Sequence, residues 1–391
     1  MSEFSIVTSF FMIFTGAAVL ASVALYARQP LLLAYIAVGA IIGPYGLNYI
    51  SDPKIINDIA EIGIIFLLFL LGLDMQPKSL FSMLKKATLV ALLSSLAFAA
   101  IGFSIALSFG FNEIDSLLIG CAMMFSSTII GIKLLPTTVL HHRHTGELVV
   151  GLLLLQDLIA IIVLLLLGGQ ETSSGEFSFM SISMSLLMLP ALLAFCFLSV
   201  RFVIIPLFAK FDRFHEYMFL LAIGWCLGIA ELAEFVGLSL EIGAFAAGIS
   251  IATSPISQYI AVNLKPLRDF FLVLFFFSLG AYFNIGLLPD IIVPAIVLTV
   301  LMIGLKPLIF QFLLRRIGED KQGAWEVGFR LGQISEFSLM IAFLAVTAGF
   351  LSEKASILIQ ATAILSFVLN SYLVIFRYPS PIAVNDRLRR D

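Results

Sequence analysis

The stretch GLLLLQDLIAIIVLLLLG, residues 151–168, decides how this chain is read. About 20 apolar residues at 1.5 Å rise cross the hydrocarbon core of a bilayer, and this run is nearly that long. Gln156 and Asp157 stand near its middle. A carboxylate at that depth costs about 2.5–3.5 kcal/mol on insertion scales. An intramembrane acid kept at that cost reads as an ion or proton site. The structural alternative is an acid paired to a neighbouring helix.

Composition sets the class. Apolar residues make up 61% of the chain and charged residues 12%, against about 25% charged in soluble domains. The chain is therefore expected to be an all-α polytopic membrane protein. Cys121, Cys196 and Cys226 all fall in apolar runs and read as small core side chains, not as a disulfide or metal set. The first apolar run has no basic residue ahead of it and leads straight into Arg28. It reads as a first span rather than a cleaved signal. No nucleic-acid or phosphate-loop signature is present, and no nucleophile–base pair can be assembled, so an enzyme is not expected. No cofactor is implied beyond transported ions.

Thirteen spans are expected: 4–26, 31–49, 55–73, 87–109, 114–135, 146–168, 181–207, 217–236, 238–253, 267–285, 289–314, 323–350 and 354–376. They make one transmembrane domain over 1–378, followed by a short cytoplasmic tail, 379–391. Short loops hold most of the charge. With the N-terminus outside, only Lys54 and Lys354 of the 22 basic residues lie in outside segments, and Lys306 and Arg330 lie within spans. All the others face the cytoplasm, tail included. That is the asymmetry the positive-inside rule requires.

The chain also repeats itself. IFLLFLLGLD (65–74) resembles VLFFFSLGAY (273–282), and FSSTIIG resembles GQISEFS, with Gly72 matching Gly280 and Ser127 matching Ser335 at one offset of 208 residues. The step is seven spans, an odd number, so the copies (about 4–168 and 217–376, joined by a linking span at 181–207) are inverted in the membrane. That arrangement is typical of secondary transporters. Span 5 carries Phe125-Ser126-Ser127-Thr128 and Gly131. Span 12 carries Gly332-Gln333-Ile334-Ser335-Glu336. Small and polar residues at matching mid-membrane positions predict two interrupted helices, whose free carbonyls can coordinate a cation. The alternative is continuous helices with locally bonded hydroxyls.

Few charges remain within spans. Lys306, followed by a kinking Pro307, is expected to pair with Asp157, or else to snorkel into a watery crevice. Glu336 is a second acid or a helix cap. Arg330 is expected to be structural, with Glu326 one turn away. His141, His142 and His144 lie in one loop that is either solvated or pH-sensing. Glu231 and Glu234 end span 8 outside, as a cation funnel or as solvated groups.

GAIIGPYGL, EIGIIFLLFLLGLD, FSSTIIGIKLL, GLLLLQDLIAI, EFVGLSLEIGAFAAGISIA, LRDFFLVLFFFSLGAYF and GQISEFSLMIA together resemble the monovalent cation:proton antiporter-2 family, above all the membrane part of Kef-type potassium/proton antiporters. The resemblance runs from about residue 27 to 376. It implies a sodium/proton antiporter-like fold: thirteen helices, a homodimer, a dimerisation panel of spans 1–3 and 8–10, and a moving core of spans 4–6 and 11–13 with spans 5 and 12 unwound and crossed. It places the ion-site carboxylate at Asp157, preceded by the Gln156 of potassium-type members, and the core lysine at Lys306. Kef-type chains continue into a cytosolic nucleotide-binding domain, whereas this sequence ends at Asp391. A separate cytosolic subunit is therefore a possible partner.

The expected function is exchange of a monovalent cation, K⁺ ahead of Na⁺, for H⁺ across a bacterial-type inner membrane. Asp157 would bind proton and cation in turn, with Gln156, Ser126, Ser127 and Thr128 around it, and Gln333, Ser335 and Glu336 in support. The alternatives are a Na⁺/H⁺ antiporter of the same fold, a cation channel, and a non-transporting membrane sensor.

Overall fold

A computed structural model describes residues 6–50, 53–74, 77–136, 144–168, 179–211, 214–254 and 257–381. Among these, the chain is built of helices: α1 Ile6–Tyr26, α2 Leu31–Ile42, α3 Pro53–Asp74, α4 Pro77–Ser108, α5 Glu113–Met123, α6 Thr128–Lys133, α7 His144–Gly168, α8 Phe179–Ser199, α9 Ile205–Lys210, α10 His215–Phe235, α11 Leu240–Ala252, α12 Ser257–Ala281, α13 Leu288–Arg316, α14 Lys321–Arg330, α15 Glu336–Thr347 and α16 Glu353–Arg377. Eight helices among the described residues are long and apolar enough to cross a bilayer. The helices fall on the thirteen spans read from the sequence once α5 with α6, α8 with α9, and α14 with α15 are each taken as one span.

The three split spans split for different reasons. Between α8 and α9 lies a π-helical turn, Val200–Ile204, just ahead of Pro206. Proline has no N–H to give to the preceding turn, so the ladder reroutes there. The other two breaks, 124–127 and 331–335, leave helical geometry outright. Each is restarted by a serine: the Ser127 hydroxyl accepts the Ile130 N–H, and the Ser335 hydroxyl accepts the Phe337 N–H. These are ordinary N-caps, standing at the same offset of 208 residues.

Two buried apolar clusters organise the molecule. One unites α4–α7 with α13–α16, the expected core, and extends into the panel through buried residues of α2, α3, α11 and α12. The other unites α1–α3 and α8–α12, the expected panel with its linking span. Glycines let the panel backbones meet. A Cβ at Gly280 of α12 would stand 2.0 Å from the Ile36 carbonyl of α2. A Cβ at Gly72 of α3 would stand 2.7 Å from the Phe245 carbonyl of α11. The two crossings use the glycines matched at offset 208, and the facing helices α2 and α11 are related by the same offset. Small residues at close crossings drive helix association where lipid removes the hydrophobic contrast.

Gly280→Val therefore forces backbones apart, and overpacking of this kind typically costs about 1–3 kcal/mol or more. The expected outcome is a marked drop in melting temperature of the detergent-purified protein. Gly224→Ala, where a Cβ meets nothing within 4 Å, leaves the melt unchanged.

Candidate ion site

The two breaks meet. The Ser126 hydroxyl donates to the Leu331 carbonyl at 2.8 Å, and the Gln333 amide donates to the Ser127 carbonyl at 3.2 Å. Irregular backbone inside a membrane survives only where each freed N–H and C=O finds a partner. Here the partners are side chains of the neighbouring spans. In the first break, Gln156 accepts the Ser126 N–H at 3.1 Å and donates to the Met124 carbonyl at 3.3 Å. In the second, the Ser366 hydroxyl accepts the Ile334 N–H at 3.0 Å, and the Asn370 amide donates to the Phe329 carbonyl at 3.1 Å. Ser126 and Ile334 are again 208 residues apart, so equivalent backbone groups are served by the span that follows each break.

Asp157 lies beside this crossing with no exposed surface. Its two carboxylate oxygens accept from the Thr128 hydroxyl at 3.1 and 2.9 Å. Thr128 is the first residue of the half-helix α6. The carboxylate therefore sits close to an N-terminal helix end, where the partial charge is positive. Glu336 opens α15, is almost fully buried, and interacts electrostatically with Asp157. The structure thus gathers Asp157, Gln156, Ser126, Ser127, Thr128, Gln333, Ser335 and Glu336 around one crossing.

Lys306 departs from its expected pairing. Its ammonium, fully buried on α13, donates to the Phe125 carbonyl at 2.7 Å and the Gln333 carbonyl at 3.2 Å, and lies 3.4 Å from the Ser126 hydroxyl. It also faces the Phe98 ring at 5.2 Å. No ion pair with Asp157 is formed. The reason is the breaks themselves: each leaves a carbonyl without its helical donor, and an ammonium has three donors and no acceptor. Lys306 braces both breaks at once. Gln156 likewise has both polar ends taken by span 5 backbone, leaving one oxygen lone pair for any further ligand.

Arg330 is structural, as expected, but does more than pair with Glu326 at 2.8 Å. It also donates to the Leu134 carbonyl at the end of α6 and to the Pro379 carbonyl beyond α16. His144 bonds both carboxylate oxygens of Glu319 at 3.0 Å; His141 and His142 lie outside the described residues, as does the tail from residue 382. A recess of about 180 Å³ lies between panel and core at the end expected to face outside, lined by Asn57, Glu61, Ser239, Glu241, Phe343 and Thr347. Its acids are Glu61 and Glu241, not the exposed Glu231 and Glu234. Ser366 and Asn370 were not among the residues picked out from the sequence. Their signal was there: Thr362, Ser366 and Asn370 recur every four residues on the last span and mark one polar face.

Residues 9–376 match the family described as "Sodium/hydrogen exchanger, transmembrane". The chain belongs to this family. Among curated relatives, it is similar to K(+) efflux antiporter 6 of Arabidopsis thaliana, at 30% identity over 88% of this chain and 58% of that protein. It is also similar to the glutathione-regulated potassium-efflux system protein KefC of Klebsiella pneumoniae, at 28% identity over 85% of this chain and 54% of that one. These relatives bear out the Kef-type resemblance. The chain spans less than two thirds of their length. Among solved structures, the sodium proton antiporter MjNhaP1 from Methanocaldococcus jannaschii superposes with a TM-score of 0.67 at 17% identity, covering 94% of this chain and 95% of that one. That likeness establishes the fold: the described residues are helical and share the architecture of that structure.

Lys306→Met removes the donor to two buried carbonyls, and each buried acceptor left unmade costs about 1–3 kcal/mol. The expected result is a melting temperature in detergent well below wild type and below that of Asp157→Asn. Equal melting of the two variants would remove the bracing role.

Proposed function

We propose that this chain is a secondary antiporter that exchanges a monovalent cation, K⁺ in first place, for H⁺ by alternating access. One observation carries the reading: in a chain of the sodium/hydrogen exchanger family, a fully buried carboxylate, Asp157, accepts from the Thr128 hydroxyl where two interrupted spans cross. The names of the similar efflux antiporters favour K⁺, as does the Gln156-Asp157 pair.

In this reading Asp157 carries either a proton or a cation. A carboxylate without an ammonium partner in a dry site is stable only if one of the two is present. The empty, charged form is the costly one, so the site crosses the membrane loaded. Proton and cation compete for the same oxygens, and their fluxes are coupled in opposite directions. The Thr128 hydroxyl and the Asp157 oxygens replace part of the cation's hydration shell, with the remaining lone pair of Gln156 and the hydroxyls of Ser126 and Ser127 close by. Gln333, Ser335 and Glu336 support the second half of the crossing. Lys306 holds the crossing in shape while Asp157 changes its guest.

Access alternates as the core cluster moves against the panel. The recess at Glu61 and Glu241 is the outer approach, and its carboxylates raise the local cation concentration. The protein works as a homodimer in a cell inner membrane, with the N-terminus outside and the C-terminus in the cytoplasm. Control by a cytosolic regulatory partner belongs to this reading as well.

Purified protein in proteoliposomes with an internal pH dye should show alkaline or acid jumps driven by K⁺ gradients. Asp157→Asn, which is neutral at every pH, should abolish them by at least about a hundredfold while leaving the protein folded. Full exchange in Asp157→Asn excludes Asp157 as the coupling site. Exchange driven by Na⁺ and not by K⁺ selects the sodium antiporter. Flux without proton coupling selects a channel.

A further inference from the structure

The half-helix α6, Thr128–Lys133, is gripped at both ends by one stretch of span 12. At its start, the Ser127 carbonyl accepts the Gln333 amide at 3.2 Å. At its far end, the Leu134 carbonyl accepts Nη1 of Arg330 at 2.9 Å. Arg330 is the last residue of α14, and Gln333 lies in the break that follows. Between the two grips α6 is one hydrogen-bonded piece: the Ser127 carbonyl takes the Gly131 N–H at 3.0 Å, and the Ile130 carbonyl takes the Leu134 N–H at 3.0 Å. From Thr128 to Leu134 is about 9 Å at the rise of an α-helix. Thr128, the first residue, donates its hydroxyl to Asp157 at 2.9 Å. A tilt at the Leu134 end is therefore carried to the hydroxyl that faces the carboxylate. Hydrogen bonds weaken steeply as alignment is lost, so a small tilt is enough.

Arg330 is placed to prevent that tilt. It is 1% exposed, and its fork serves three segments at once. Nε and Nη2 donate to Glu326 Oε1, one turn back on the same helix, at 3.0 and 2.8 Å. Nη2 also donates to the Pro379 carbonyl beyond α16 at 2.8 Å. Glu326 on one side and the exit of the last span on the other fix the guanidinium plane, so Nη1 is aimed at Leu134 with little freedom. Leu134 is itself buried, so water does not stand in for the guanidinium. A lysine ammonium is a compact point charge and cannot reproduce this planar fork.

We propose that Arg330 is a positioning residue for the ion site: by holding the Leu134 end of α6, it keeps the Thr128 hydroxyl at the other end in register with Asp157. The sign of its effect follows from what Thr128 does. A hydroxyl donated to a carboxylate favours the charged form, which is the form that takes a cation. With α6 tilted, that support weakens and the proton competes better for the same oxygens. More cation is then needed at a given pH, and exchange starts at higher pH. This deepens the antiport reading above and rests on it.

The test compares wild type, Arg330→Lys, Thr128→Val and the double variant in proteoliposomes, reading K⁺ half-saturation, maximal rate and pH profile. Arg330→Lys should raise the K⁺ half-saturation about 3- to 10-fold and move the profile alkaline by about 0.5–1 pH unit, the effect of one buried hydrogen bond. In the Thr128→Val background it should shift neither any further, because Arg330 reaches Asp157 only through that hydroxyl. A fall in maximal rate with half-saturation and pH profile unchanged overturns the proposal, as does a shift toward acid, or an equal shift with and without the Thr128 hydroxyl. Arg330→Gln paired with Glu326→Gln carries the same expectation should the lysine variant not fold. Wild type that exchanges neither K⁺ nor Na⁺ fails the antiport reading instead. Positioning is then read without transport, by infrared pH titration of the carboxyl band that Asp157→Asn removes. The same titration serves where Thr128→Val exchanges too slowly to measure. An alkaline shift of that midpoint in Arg330→Lys upholds the proposal, and an unchanged midpoint overturns it.

Discussion

Everything at the centre of this protein depends on one buried ammonium shared between two carbonyls. Two helices broken in mid-membrane leave polar backbone where no water can reach it. Lys306 answers one carbonyl in each break, at Phe125 and at Gln333. Burying a lysine is unfavourable, and so is leaving carbonyls unmade. Brought together, each removes the other's penalty. The crossing of α5–α6 with α14–α15 is held from a third helix, α13, and neither break can shift without disturbing it.

With the lysine so engaged, Asp157 is left, among the described residues, with a hydroxyl rather than an ammonium. Thr128 is its hydrogen-bond partner, at the first residue of a half-helix. In the exchange proposed above this matters, because an acid locked in a strong ion pair would have to break it at every cycle. The division is between a braced scaffold and a loosely tethered carboxylate. The bracing recurs in each half: Gln156 serves the first break, and Ser366 with Asn370 serves the second. The following span supplies the missing hydrogen bonds in both. The second half divides between two side chains what the first does with one.

Much of this was legible in the letters. The polar runs at 125–128 and 332–336 marked both breaks, and the 208-residue offset related them. In the structure the same offset relates the capping serines, the close-packing glycines and the served backbone N–H groups. Asp157 stood out because an acid in a 16-letter apolar setting is rare. The partners were not legible. Lys306 was expected on Asp157 because opposite charges attract, but a linear chain does not reveal that two orphan carbonyls lie nearer. That the Gln156 amide also binds span 5 backbone at both ends could not be read from the letters. The acids of the recess between panel and core, Glu61 and Glu241, lie on helices far apart in sequence and meet only through the panel packing.

Read in one dimension, the residues already gave a membrane-embedded helical class and the two sites of interruption. Each of these follows from hydropathy, span length and spacing, properties that survive in one dimension. Which donor meets which acceptor emerged with the packed helices: Lys306 on two carbonyls, Thr128 on Asp157, Asn370 on Gln333. Those choices are made by distance across helices, after close packing has set which faces touch. A hydrogen bond whose strength changes within half an ångström has no representation in the order of residues.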